Sequence, residues 1–142
     1  MATTMTDEAR RAFLLHGTRT GKLGVVRRDG SVQVAPIWFV LDGDDVVFNT
    51  GADTVKGKAL LRDPRATLCV DDDRPPFAYV MVAGPVTISR DLDEMLPWAT
   101  RIAARYMGED EAGAYGRRNA VEGELLVRLR PERTVALAGI AD

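Results

Sequence analysis

Lys56 and Lys58 are the side chains in this sequence whose type and position best suit chemistry, and that chemistry is anion binding. An apolar run, Val46-Val47-Phe48, stops at the small polar residues Asn49-Thr50-Gly51. After Ala52-Asp53, Thr54 opens a helical pattern carried by Val55, Ala59 and Leu60, with the two lysines in its first turn. The first turn of a helix leaves backbone N–H groups unpaired and carries the positive end of the dipole, so it attracts phosphate. Two ammonium groups add point charges, and Gly57 between them is expected to let an anion approach closely. A competing reading puts both lysines on a solvated face, with Asp53 repelling an anion. The phosphate-loop pattern GxxxxGK[ST] is absent.

The other reactive side chains offer less. His16 is the only histidine, and no nucleophile or carboxylate lies near it in sequence, so it reads as a helix-end residue and not as a general base. Asp71-Asp72-Asp73 lacks the spaced ligands and closing glutamate of a calcium loop, and no metal site is expected there. Cys69 lies in an apolar strand and reads as a packed core residue. As the only cysteine it has no partner for an internal disulfide, which fits a reducing compartment.

Size and composition bound what surrounds the lysines. The 142 residues, 46% hydrophobic and 28% charged, suit a single globular domain over 1–142 that buries its own core. A formal net charge of −2 gives no global basic field for nucleic acid. No apolar run approaches the roughly 20 residues of a membrane span. The N-terminal stretch MATTMTDEARRAF has no signal-peptide core, so a cytoplasmic protein is expected.

The elements that must position the lysines follow from periodicity. Thr6 caps a first helix carrying Ala9, Ala12 and Phe13 and ending at Gly17. Strands are expected at Lys22 to Arg28, Val32 to Leu41, Val46 to Thr50, Ala66 to Val70, Phe77 to Ser89, Glu124 to Arg130 and Thr134 to Leu137. Asp29-Gly30 marks a hairpin between the first two. Val32 to Leu41 is apolar on both faces after Gln33, which asks for a helix, a ligand or a partner subunit on its second side. Pro36 puts that strand at an edge or a bulge, and Gly84-Pro85 marks a bend in the long fifth strand. Leu92, Met95, Leu96, Ala99, Ile102, Ala103 and Tyr106 form an amphipathic helix, with Arg105 on its polar side and Pro97 expected to kink it or start a new segment. A weaker helix follows at Glu109 to Asn119. Hairpin-spaced strands with singly inserted helices predict a mainly β, α+β fold: an antiparallel barrel of six to seven strands with flanking helices. No GxGxxG follows a strand, so a dinucleotide fold is excluded.

The segment DGSVQVAPIWFVLDGDDVVFNTGADTVKGKALLRDPRATLCVDDD resembles the split β-barrel flavoproteins of the pyridoxamine 5′-phosphate oxidase-like superfamily. It is most similar to their actinobacterial branch of deazaflavin (coenzyme F420)-dependent reductases. The resemblance covers Thr20 to Ser89 and, beyond that, the order of elements. It implies an FMN-binding-like split barrel in which Lys56 and Lys58 hold the cofactor phosphate, with Asn49, Thr50, Gly51 and Thr54 close by. The ring system would lie along Gln33, Ala35, Pro36, Ile37 and Trp38. Phe77 and Tyr79 would shape the substrate side. It also implies a homodimer with a cofactor site at the subunit interface.

No catalytic side chain is expected, because the cofactor carries the hydride. The tryptophan and arginine-rich C-terminal motif of the pyridoxamine phosphate oxidases is missing, and so is the arginine usual before their phosphate helix. These departures favour F420 over FMN, with reduction of a quinone, enone or bilin type of acceptor. The alternatives are an FMN-dependent oxidase-like enzyme and a dimer that binds a cofactor or haem without turnover.

Overall fold

The computed structural model describes residues 1–142. Its strands are β1 (Thr3–Thr4), β2 (Gly21–Val26), β3 (Val32–Ile37), β4 (Val40–Asp42), β5 (Asp45–Gly51), β6 (Arg65–Asp72), β7 (Ala78–Ser89), β8 (Glu124–Leu129) and β9 (Arg133–Ala138). The helices are α1 (Asp7–Leu14), α2 (Val55–Arg62), α3 (Leu92–Met107) and α4 (Glu109–Asn119). Every strand pairing is antiparallel. The main path runs β3-β2-β6-β7-β8-β5-β4, with β9 joined to β7 and β1. This is a split β-barrel with four flanking helices, as the spacing of strands and turns predicts.

Gly84-Pro85, where a bulge or bend is expected, lies inside an unbroken β7 that stays paired with β6 across it; what changes there is the strand on its other edge. On one edge, β7 pairs with β9 over Tyr79–Ala83 and with β8 over Val86–Ser89. At Gly84 a Cβ would run into the Arg130 carbonyl oxygen, so only glycine lets the chain cross there. The Asp29-Gly30 hairpin also forms, with Gly30 at φ 86° and the Asp29 carboxylate accepting from Ser31 N (2.9 Å) and Oγ (2.6 Å).

The strand expected over Val32 to Leu41 is corrected: it breaks at Trp38-Phe39 into β3, which pairs with β2, and β4, which pairs with β5. The chain thus turns a barrel corner, and Pro36, unable to donate to a ladder, sits on the edge strand β3. Its second face is only partly covered. Trp38 and Val40 pack with Val47, Met95, Ile102 and Leu126 beneath α3, but Val32 and Val34 are each 63% exposed. Ile37, Phe39 and Leu41 enter the main core with Leu23, Phe48 and Leu60.

Further expectations are adjusted. The first helix ends at Leu14, before the expected Gly17; Gly17 instead takes φ 54° in the following turn. No second segment begins at Pro97, because α3 runs through it. Pro97 and Asp93, whose carbonyl the missing N–H would have met, are both exposed, so that carbonyl is open to solvent. Cys69 is not in the core. It pairs with Lys22 and Met81 on the outer face of the sheet, half-buried, and that burial pushes its thiol pKa up.

Arg105, on the polar side of α3, is half-buried. Its guanidinium donates to Leu14 O (2.8 Å), Gly17 O (2.9 Å) and Phe39 O (2.7 Å). It thereby satisfies carbonyls at the end of α1, the job a C-cap would do. No helix is long and apolar enough to cross a membrane.

Candidate functional site

The site is built at the end of β5. Apolar Val46, Val47 and Phe48 are fully buried and pin the strand in the barrel. Thr54 then caps α2: its hydroxyl accepts from Gly57 N (3.0 Å) and donates to Gly51 O (2.7 Å). Ala59 and Leu60 bury the inner face of α2 in the barrel core. Arg62 ties its far end to the sheet by donating to Val26 O at 2.8 Å.

Gly57 has a different job from the one expected. It is buried, and a Cβ there would overlap Gly51 O and lie 3.0 Å from the Ala52 Cα. The glycine lets α2 pack directly on the strand end; it does not clear a path for a ligand. The helix is therefore placed rigidly where β5 stops, and its first turn carries the two lysines.

Helical geometry separates those lysines by about 200° around the axis. Lys56 is half-buried, on the same side as Ala59 and Leu60, three and four positions on. Lys58 is exposed. Neither makes an ion pair. An anion held by both would be flanked from two sides and not gripped by one face.

The electrostatics of α2 are unlike those of the other three helices. Helices α1, α3 and α4 carry acidic residues in their first turns, as the dipole favours. Helix α2 has no acidic residue there and places Lys56 and Lys58 at the positive end instead. An anion bound at that end would relieve the repulsion.

The small polar residues are less available than their types suggest. Asn49 Nδ2 donates to Glu124 Oε1 (3.0 Å) and Asn119 O (3.4 Å). Thr50 is buried, with its Oγ1 3.3 Å from Thr54 Oγ1. Thr54 is occupied as the cap. Glu124 was not legible in sequence, because it comes from β8, 75 residues away from Asn49. That leaves the two ammonium groups as the side-chain donors of this turn free for an anion.

On the strand named for the ring, Gln33 and Ala35 face inward opposite Val25 and Leu23, and Ile37 is buried. Gln33 Oε1 is buried with no hydrogen-bond partner, an acceptor that a ring N–H would satisfy. Pro36 is exposed. Trp38 lies in helix packing: its ring stacks on Tyr106, centroids 5.1 Å apart and planes 5° apart. The Tyr106 hydroxyl donates to Arg19 O (2.8 Å) and accepts from Phe39 N (3.3 Å), and burial pushes its pKa up. Phe77 is 41% exposed at φ 66°, a strained backbone for a bulky residue. Tyr79 is half-buried on the outer face, opposite Asp71 and Leu137. It lies about 20 Å along β7 from Pro85, and Pro85 pairs with Arg65 just after α2. The two aromatic residues thus lie at the other end of the sheet from the C-terminus of α2.

A cavity of about 530 Å³ opens on the outer face of the sheet, floored by Gly24, Val26, Val32, Ala83 and Pro85. Neither lysine lines it. The other candidates raised by residue type lie elsewhere. His16 is exposed. Asp72 bonds Arg74 (3.0 Å) and pairs with Arg19 (3.3 Å), and the Arg74 hydrogen bonds lower its pKa to about 2.

A family model described as pyridoxamine 5′-phosphate oxidase matches residues 5–137. The chain belongs to that family. Among solved structures, it is similar to a protein titled F420 reductase, with 26% identity, TM-score 0.70, and coverage of 87% of this chain and 94% of that one. It is also similar to a conserved hypothetical protein from Mycobacterium tuberculosis (24% identity, TM-score 0.84, 95% and 86% covered). A FAD-binding protein from Mesorhizobium loti shares the fold (17% identity, TM-score 0.72, 96% and 97% covered). No curated protein sequence matches.

Proposed function

We propose that this member of the pyridoxamine 5′-phosphate oxidase family is a coenzyme F420-dependent oxidoreductase. The observation that carries the reading is the reversed charge of α2, two lysines without ion pairs at the helix end where α1, α3 and α4 place carboxylates. The likeness to an F420 reductase over most of both chains supports it. So does Gln33 Oε1, a buried acceptor with no partner on the strand assigned to the ring.

When bound, the reduced deazaflavin supplies a hydride to a conjugated, electron-poor acceptor. The chain supplies position and exclusion of water. Lys56 and Lys58 hold the phosphate end. The backbone of Gln33, Ala35 and Ile37 backs the ring, with Pro36 at its outer edge. The Trp38–Tyr106 stack and Arg105 fix the corner after β3. Asn49, Thr50, Gly51 and Thr54 set the shape of the turn into α2.

The working unit in this proposal is a cytoplasmic homodimer. The exposed apolar outer face of the sheet, with Val32 and Val34 at 63% exposure, suits a second copy, since lone monomers rarely show such patches. Phe77 and Tyr79 would then border the acceptor at the subunit seam.

Side-by-side equilibrium titration with F420 and FMN tests the cofactor. Tighter binding of F420, together with reduction of a quinone or enone by its reduced form, is the expected result. Tighter binding of FMN would overturn the assignment.

A further inference from the structure

A polar cavity of about 460 Å³ opens where β2 begins and β6 ends, and no hydrophobic residue lines it. Arg19, Lys22, Asp71, Asp72 and Arg74 are among its walls. Its two arginines are committed. Arg74 donates to both carboxylate oxygens of Asp72, at 3.0 and 3.2 Å. Arg19 pairs with the same carboxylate at 3.3 Å, and its guanidinium covers the Phe13 ring. Lys22 is held more loosely. Its ammonium lies 3.6 Å from Asp71 Oδ1, too far for a hydrogen bond. It donates once, to Thr20 O at 3.3 Å. An ammonium carries further donors, and these stay free on a side chain that is 44% exposed.

The sheet sets Lys22 beside the strand assigned to the ring. On the outer face, Pro36, Lys22, Cys69 and Met81 lie in one row across β3, β2, β6 and β7. Lys22 is the charged residue of that row. Asp71 and Tyr79 oppose each other in the next row toward the end of the sheet. Residues directly opposed on antiparallel strands sit about 5 Å apart, so the Lys22 side chain can reach what lies on Pro36.

We propose that the hydride acceptor sits in this cavity against β3, and that Lys22 receives the negative charge that develops on the acceptor's oxygen. Resting on the placement of the ring along β3, this names the acceptor class: a conjugated carbonyl, enone or quinone, and not an acceptor whose charge develops on nitrogen. Hydride arriving at the β-carbon of an enone forms a C–H bond there. The C=C electron pair shifts, and the carbonyl becomes an enolate. The ammonium stabilises that oxyanion and passes a proton to it. Water reaches the exposed side chain and returns the proton. The acceptor thus gains a hydride, taken from the C5–H bond of the reduced deazaflavin, and a proton. Asp71 steers the ammonium without occupying its donors.

The test compares the full-length wild-type protein with K22Q and K22R. The first readout needs no turnover. With oxidised F420 bound, para-nitrophenol stands in for the enolate, and its visible band reports the ionised fraction. Wild type is expected to raise the ionisation constant of the bound phenol by about tenfold, the lower end for a charge-assisted contact. K22Q removes that shift and K22R keeps it. The second readout is reduction, by reduced F420, of the quinone menadione and of methylene blue, a cationic dye without a carbonyl. K22Q slows menadione about tenfold, with methylene blue and F420 affinity unchanged.

Equal slowing of both acceptors, a K22Q protein that matches wild type on menadione, or an unshifted phenol in wild type overturns the inference. Failure of the underlying reading looks different: F420 does not bind wild type, and the inference falls with it.

Discussion

The backbone of Gly57 lies directly against the carbonyl of Gly51, closer than any side chain allows. That contact seats α2 on the end of β5 and so fixes where Lys56 and Lys58 are presented. Gly57→Ala must push the helix off the strand. We expect it to cost about 1–3 kcal/mol, the usual range for overpacking, measured as a drop in the urea midpoint. F420 affinity should fall with it. A variant as stable as wild type would show that α2 is not held by this approach.

Thr54 works as a cap and not as a ligand. Thr54→Ala should destabilise the protein by about 1 kcal/mol, the typical value of an N-cap, and Thr54→Ser should restore it. A Thr54→Ala protein with unchanged stability and lost F420 binding would reassign the hydroxyl to the cofactor.

Arg105 links α1, the corner at Phe39 and α3 through three short bonds to carbonyls. Lysine keeps the charge but has no planar fork to reach all three. Arg105→Lys should therefore lose about 2 kcal/mol of stability, since bonds to a charged donor are each worth about 1.5–3 kcal/mol. Thermal unfolding of the two proteins compares them.

Asp72 has a pKa lowered to about 2 by Arg74, from an ordinary value of 3.8. A carboxylate depressed on folding adds stability that is fully present above its unfolded pKa and is lost as pH falls through the folded one. The contribution should thus fade between about pH 4 and pH 2. Asp72→Asn should be less stable than wild type at pH 7, and the gap should close near pH 2. A gap independent of pH would mean that the pairing with Arg74 and Arg19 adds nothing.

Much of this molecule was legible in local pattern, for physical reasons. Alternation and turn residues placed the strands and Asp29-Gly30 the hairpin, because each depends on backbone preferences carried by adjacent residues. The break at Trp38-Phe39 was hidden, because an uninterrupted apolar run is the same for one strand as for two halves on different partners. Arg105 and Glu124 were hidden too. Their partners lie dozens of residues away, and a polar residue on a helix or strand looks the same whether it meets water or a carbonyl. Gly57 shows the subtler gap: its position was marked as important, but its reason, contact with Gly51, exists only once the chain has folded.

Cofactor binding in this proposal rests on the two ammonium groups that open α2. Equilibrium titration of F420 into wild type, Lys56→Ala and Lys58→Ala measures their role directly. Each substitution is predicted to weaken binding by about 1–3 kcal/mol, as loss of a charge-assisted contact does, with the urea midpoint unchanged. Dissociation constants equal to wild type in both variants would contradict it.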